Sequence, residues 1–99
     1  MAIVRIRRQL WTVREVPDVV DAAGHNASRR DRNVGLDGIC QFDRLEILVA
    51  APLEPQPKLE TYVHELLHAA QPKMRESTVV FTARVIADGL YQHGARITL

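Results

Sequence analysis

The chain has a single cysteine, Cys40, so no internal disulfide can form. It has no apolar run long enough to cross a membrane as a helix and no secretory-signal pattern, which sets a soluble, reducing, cytoplasmic setting as the expectation. No internal repeat or low-complexity segment interrupts it. The net charge is only +1, which excludes a global polyelectrolyte interaction. What is present is ordinary for one folded domain spanning residues 1–99: 46% hydrophobic and 25% charged residues. A core of this size is small, and a bound metal would help to hold it together.

Charge is unevenly placed. Residues 1–35 carry Arg5, Arg7, Arg8, Arg14, Arg29, Arg30 and Arg32 against Glu15, Asp18, Asp21 and Asp31, and the remainder is mildly acidic. The ordinary reading is a strand edge guarded by arginine. Nucleic acid, with Trp11 stacking on a base, is the weaker alternative.

Along the chain, residues 2–7 and 10–16 alternate and predict two strands joined at Arg8-Gln9, the second ended by Pro17. Residues 18–23 suit a short helical turn, and the polar stretch to Asn33 reads as loop. Residues 34–40 form a weak strand candidate, Gln41-Phe42-Asp43 a turn, and residues 44–50 the clearest strand. After the connector marked by Pro52, Pro55 and Pro57, Leu59, Val63, Leu66, Leu67 and Ala70 make one apolar helical stripe that Pro72 terminates. A last helix runs from residue 76 or 77 to His93, with Gly94 as its stop and Val79, Val80, Ala83, Ile86, Ala87 and Leu90 as its apolar face. The expected fold is α+β: a mostly antiparallel sheet of three to four strands, the residue 57–70 helix packed on it, and a C-terminal helix outside.

The chemistry lies in His64-Glu65-Leu66-Leu67-His68. On a helix, residues four apart share a face, so both imidazoles can grip one Zn²⁺ while Glu65 takes a proton from a zinc-bound water. Both histidines fall well off the apolar stripe, toward a second layer or solvent. A third ligand must come from elsewhere, from among Glu76, His93, His25, Asp43, Cys40 and Asp88. Glu76 is the best placed, because a short corner returns the chain antiparallel beside the first helix. It also lies on the apolar sector of its own helix, although a helix start favours negative charge in any case.

From about residue 35 to 97 the chain resembles the short zincin-like metallopeptidases of phage and prophage genomes. The carriers are His64-Glu65-Leu66-Leu67-His68-Ala69, the strand before it, and Glu76-Ser77 opening the final helix. The resemblance implies zinc held by His64, His68 and Glu76, Glu65 as general base for peptide-bond hydrolysis, a peptide or protein substrate, and, for a phage-encoded chain, the host cytoplasm. The sequence departs from larger relatives. Gln71 and Met74 stand where metzincins have a glycine and a third histidine, and no second subdomain walls a cleft. Tyr62 and Tyr91, the aromatics able to stabilise an oxyanion, read more readily as packing. The competing reading is a non-catalytic, zinc-stabilised module that binds a host or phage protein through Phe81 and Val85, a face equally suited to a homo-oligomer contact.

Overall fold

The computed structural model describes all 99 residues. The elements are β1 (Ala2–Ile6), β2 (Gln9–Val16), α1 (Val19–Ala23), a 3₁₀ turn (Gly24–Asn26), α2 (Arg29–Val34), β3 (Gly38–Gln41), β4 (Glu46–Ala50), α3 (Pro55–Ala70) and α4 (Glu76–Gln92). The sheet order is β1-β2-β4-β3. β1 pairs antiparallel with β2 and β3 antiparallel with β4, but β2 and β4 run parallel, so the sheet is mixed. No helix is long and apolar enough to cross a membrane.

The β1–β2 hairpin turns on Arg7 and Arg8, one residue earlier than the sequence suggested, with Ile6 paired to Gln9. Both arginines have positive φ, 51° and 76°. A two-residue hairpin loop favours this mirror-image turn because its twist matches the strands, and Asn-Gly fills it best. A side-chain-bearing residue in that conformation costs about 1–2 kcal/mol. Replacing Arg7 with Asn and Arg8 with Gly together is therefore expected to stabilise the fold by about 1 kcal/mol, less the extra unfolded-state entropy of glycine. In a chain of this size that is a rise of roughly 4–8 °C in the melting temperature. An unchanged or lower melting temperature would show that the turn stores no strain.

Three apolar clusters define the layers. Ile6, Trp11, Val13, Ile47 and Val49 on one sheet face meet Ala69 of α3, with Leu66, Tyr62 and Ala70 alongside. Val16 and Leu48 on the other face meet Val19, Ala23 and Ala27. Leu59 and Val63 of α3 meet Ala83 and Ala87 of α4. β4 is covered on both faces, which explains its unbroken Ile47-Leu48-Val49 run. α3 lies between the sheet and α4. Its predicted single stripe therefore divides, Leu66 and Ala70 to the sheet, Leu59, Val63 and Leu67 to α4.

Several expectations are corrected. The polar stretch read as loop contains α2, nucleated by a capping box: Ser28 Oγ accepts from Asp31 N (3.1 Å) and Ser28 N donates to Asp31 Oδ2 (2.8 Å). Val34 ends that helix rather than opening a strand. α3 starts two residues before Pro57, with both prolines in its first turn, where backbone N–H groups need no helical partner. Ile86 and Leu90 are exposed beside Phe81 and Val85, because α4 has only α3 to pack against and the alanine seam uses that contact up. Trp11 is buried edge-on to Phe42 in the core and offers no face to a base.

Candidate metal centre

Three layers around α3 give each of its sides a different task. Between the side that meets the sheet and the side that meets α4, His64 and His68 emerge half-buried toward the first residue of α4. Their Nε2 atoms stand 3.1 Å apart. Glu76, in the first turn of α4, spans both: Oε1 is 3.0 Å from His64 Nε2 and Oε2 is 2.9 Å from His68 Nε2. Sequence reasoning placed Glu76 against this helix, and the structure brings the three side chains together. The corner that does so is short because Pro72 stops α3 and Gln71 closes it by donating its N–H to Leu67 O (2.8 Å).

The donor set suits zinc. Two imidazole nitrogens and a carboxylate form a usual three-ligand set. Donors at ~2.0–2.1 Å from a tetrahedral zinc stand about 3.3 Å apart, and the observed separations fall within a few tenths of an ångström of that. Burial, helped by the neighbouring His68, pulls the His64 pKa below its ordinary value, against the attraction of Glu76. The neutral imidazole, the ligating form, is thereby favoured. Glu76 itself is mostly exposed (64% of its side chain), so as a plain ion pair it adds little stability.

Glu65 lies on the β3 side of α3, its Cγ close to Gly38. It is only 7% exposed, and its carboxyl makes no hydrogen bond within the protein, its oxygens keeping a small contact with solvent. Burial, reinforced by the charge of Glu76, pushes its pKa up to about 8. With its neighbours His64 and His68 it forms a group whose ligand atoms all lie within 4.8 Å of one another.

β3 is the edge strand beside this group, and it comes close because residue 38 is glycine. A methyl at Gly38 would lie 2.5 Å from Thr61 Cγ2 and 3.3 Å from Glu65 Cγ. Thr61 is β-branched and stiff on a helix, so it cannot swing clear without leaving its rotamer. Gly38→Ala is expected to cost about 1–3 kcal/mol through overpacking, and adding Thr61→Ser should recover part of the loss. Thermal unfolding of the single and double variants measures both. A Gly38→Ala protein that melts with the parent would mean the strand does not depend on glycine for its approach.

Beside the histidines opens a cleft of about 250 Å³ lined by Asp37, Gly38, Glu60, Thr61, Glu65 and Val80 with His64. A larger cavity of about 410 Å³ lies across the sheet, among α1 and the connectors, and contains no histidine. Sequence reasoning did not identify the cleft walls. The one available signal was a glycine inside a strand, which marks a close backbone approach.

The other candidate ligands stay away from the centre. His25 pairs with Asp43 at 3.2 Å near the 3₁₀ turn. Asp88 accepts from Gln56 Nε2 at 2.7 Å, and His93 caps the C-terminus of α4. Cys40 sits near Glu65, and burial together with that carboxylate pushes its thiol up to about 12, leaving it unreactive. Tyr62 packs on the sheet core. Tyr91 packs on the α3–α4 core, with the Arg96 guanidinium 3.8 Å above its ring. Neither faces the cleft. Among the N-terminal arginines, Arg14 pairs with Glu46 at 2.8 Å and Arg32 donates to Gly24 O. The chain matches no protein-family model, no curated protein and no solved structure.

Proposed function

We propose that this protein is a zinc-dependent hydrolase of peptide bonds, with His64, His68 and Glu76 as metal ligands and Glu65 as general base. The observation that carries the reading is the convergence of two Nε2 atoms and one bridging carboxylate, all about 3 Å apart, beside a buried carboxyl without a partner. When bound, the metal supplies Lewis acidity, polarising a carbonyl oxygen and acidifying water.

The chain's own groups do the rest. The Glu65 carboxyl becomes a carboxylate once positive charge is placed nearby, because opposite charge favours the ionised form. It then takes a proton from the attacking water as the hydroxyl adds to the acyl carbon. It returns that proton to the departing nitrogen as the C–N bond breaks, so acid and amine are released with no other reactant. The largely buried position of Glu65 strengthens each of these interactions. An extended peptide is a natural substrate beside a sheet edge, since β3 offers its outer backbone groups for pairing.

A second reading keeps the zinc and drops the turnover. It draws on the exposed Phe81, Val85, Ile86 and Leu90 of α4, an apolar face suited to holding a protein partner or a second copy. Metal analysis of untagged protein purified without chelator, followed by incubation with a mixed peptide library, separates the two. One zinc per chain with new amino termini supports hydrolysis; one zinc and an untouched library supports the binding module; no metal at all would falsify both.

A further inference from the structure

We propose that the cleft beside His64 selects a substrate bearing a cationic side chain, arginine or lysine, next to the bond to be cut. The inference rests on the hydrolase reading and adds a substrate class to it.

The cleft is small. At about 250 Å³ it lies below the usual range for a whole ligand, ~300–1,000 Å³, and is of a size for one long side chain. Its walls are asymmetric in charge. Asp37, Glu60 and Glu65 line it, no lysine or arginine does, and Val80 is its one hydrophobic residue. Asp37 is exposed at the start of β3 and makes no side-chain contact; only its backbone carbonyl is used, accepting from Ala50 N at 2.7 Å. Glu60 is partly occupied: Gln56 Nε2 donates to it at 3.2 Å, and Arg84 Nε stands 4.0 Å away on α4. That leaves Glu60 with one loose cationic neighbour and spare acceptor capacity.

An acidic wall alone would be only a solvated surface. Here the same cleft is also lined by Glu65, more than nine-tenths buried and making no hydrogen bond within the protein, so a carboxyl with spare acceptor capacity stands at the cleft beside His64. A lysine or arginine side chain matches both parts of the cleft. Its methylene stem can lie along Val80 while its charged head meets Asp37 and Glu60 near the mouth. A carboxylate in the same position would meet like charge, and a neutral stem would leave both acids without an ion partner.

The test uses the full chain loaded with zinc and peptides identical except at the residues flanking the scissile bond, which are arginine, lysine, norleucine or glutamate. The expected result is a kcat/KM for arginine and lysine peptides about tenfold above norleucine, equivalent to ~1.4 kcal/mol, with glutamate lowest. In Asp37→Asn/Glu60→Gln the arginine-to-norleucine ratio should fall toward one. Cleavage that ignores the flanking charge, or a ratio the double variant does not change, overturns the inference while the hydrolase reading stands.

A binding arm covers the case of no cleavage. NMR shift perturbation at Gly38 and Thr61 is followed in metal-free protein with the amidated arginine and norleucine peptides. Arginine-selective binding that the double variant abolishes would keep the cleft's preference and remove the hydrolase reading. Absence of both cleavage and selective binding removes both.

Discussion

Glu65→Gln is expected to abolish peptide hydrolysis, leave the zinc load intact, and make the metal-free protein more stable than the parent. The first effect is the loss of a positioned general base, about 10²–10⁴-fold in rate. The second follows because Glu65 is outside the set of three converging donors. The third comes from its burial. In the fold the pKa is raised from 4.5 to about 8, so the metal-free native state prefers the protonated acid. That preference favours folding fully below pH 4.5 and is lost as pH rises through 8. At pH 8 the parent should be weaker by something on the order of a few kcal/mol, ten degrees or more in melting temperature. Glutamine carries no such dependence. Metal-free melts of parent and variant should therefore nearly coincide at pH 4.5 and separate steadily toward pH 8. Curves that stay parallel across that interval would contradict the account of Glu65 as a buried, unpaired carboxyl. A variant that still hydrolyses at the parental rate would remove it as the base.

Removing the metal should have an effect of similar size. A ligand that binds only the folded chain, present at 100 times its dissociation constant, stabilises by about 2.7 kcal/mol. Chelation is expected to lower the melting temperature by roughly 10–20 °C. Glu76→Ala should uncouple the two states. Without metal, it loses only exposed ion pairs and a favourable charge at a helix start, about 1 kcal/mol in all. With metal it loses a direct ligand, expected to weaken zinc by more than the ~10–100-fold that loss of a merely supporting group costs. Zinc titration against a competing chelator, with melts of both forms, measures this. Parental zinc affinity in Glu76→Ala would exclude residue 76 from the coordination set.

The parts of the fold that the sequence disclosed were those set by local rules. The pentapeptide and Pro72 placed α3 and its end; Gly94, with its positive φ, marked where α4 stops. The Ile47-Leu48-Val49 run identified β4, but its neighbours were out of reach. Alternation shows that a segment is a strand, not which strand it joins or in what direction, and the parallel pairing with β2 depends on α1 and α2 crossing between them. α2 was missed because its capping box uses Asp31 where glutamate or glutamine is the stronger signal. Ile86 and Leu90 were assigned to the interior because helical periodicity cannot show how many layers lie beyond a helix. For the site, spacing gave the two histidines and Glu65, and the short corner pointed to Glu76. The cleft walls come from β3, α3 and α4, so no local pattern contains them.

The parallel joint at the middle of the sheet also governs how the molecule assembles. Residues 12–16 can find their partners only after residues 46–50 have emerged and the intervening segment has folded across. Until then the β1–β2 hairpin shows a bare inner edge of unpaired backbone groups, the kind of surface on which nascent chains stick to one another. Pairings so remote in sequence slow folding, and residues 46–50 must have been made before the sheet can close across its middle.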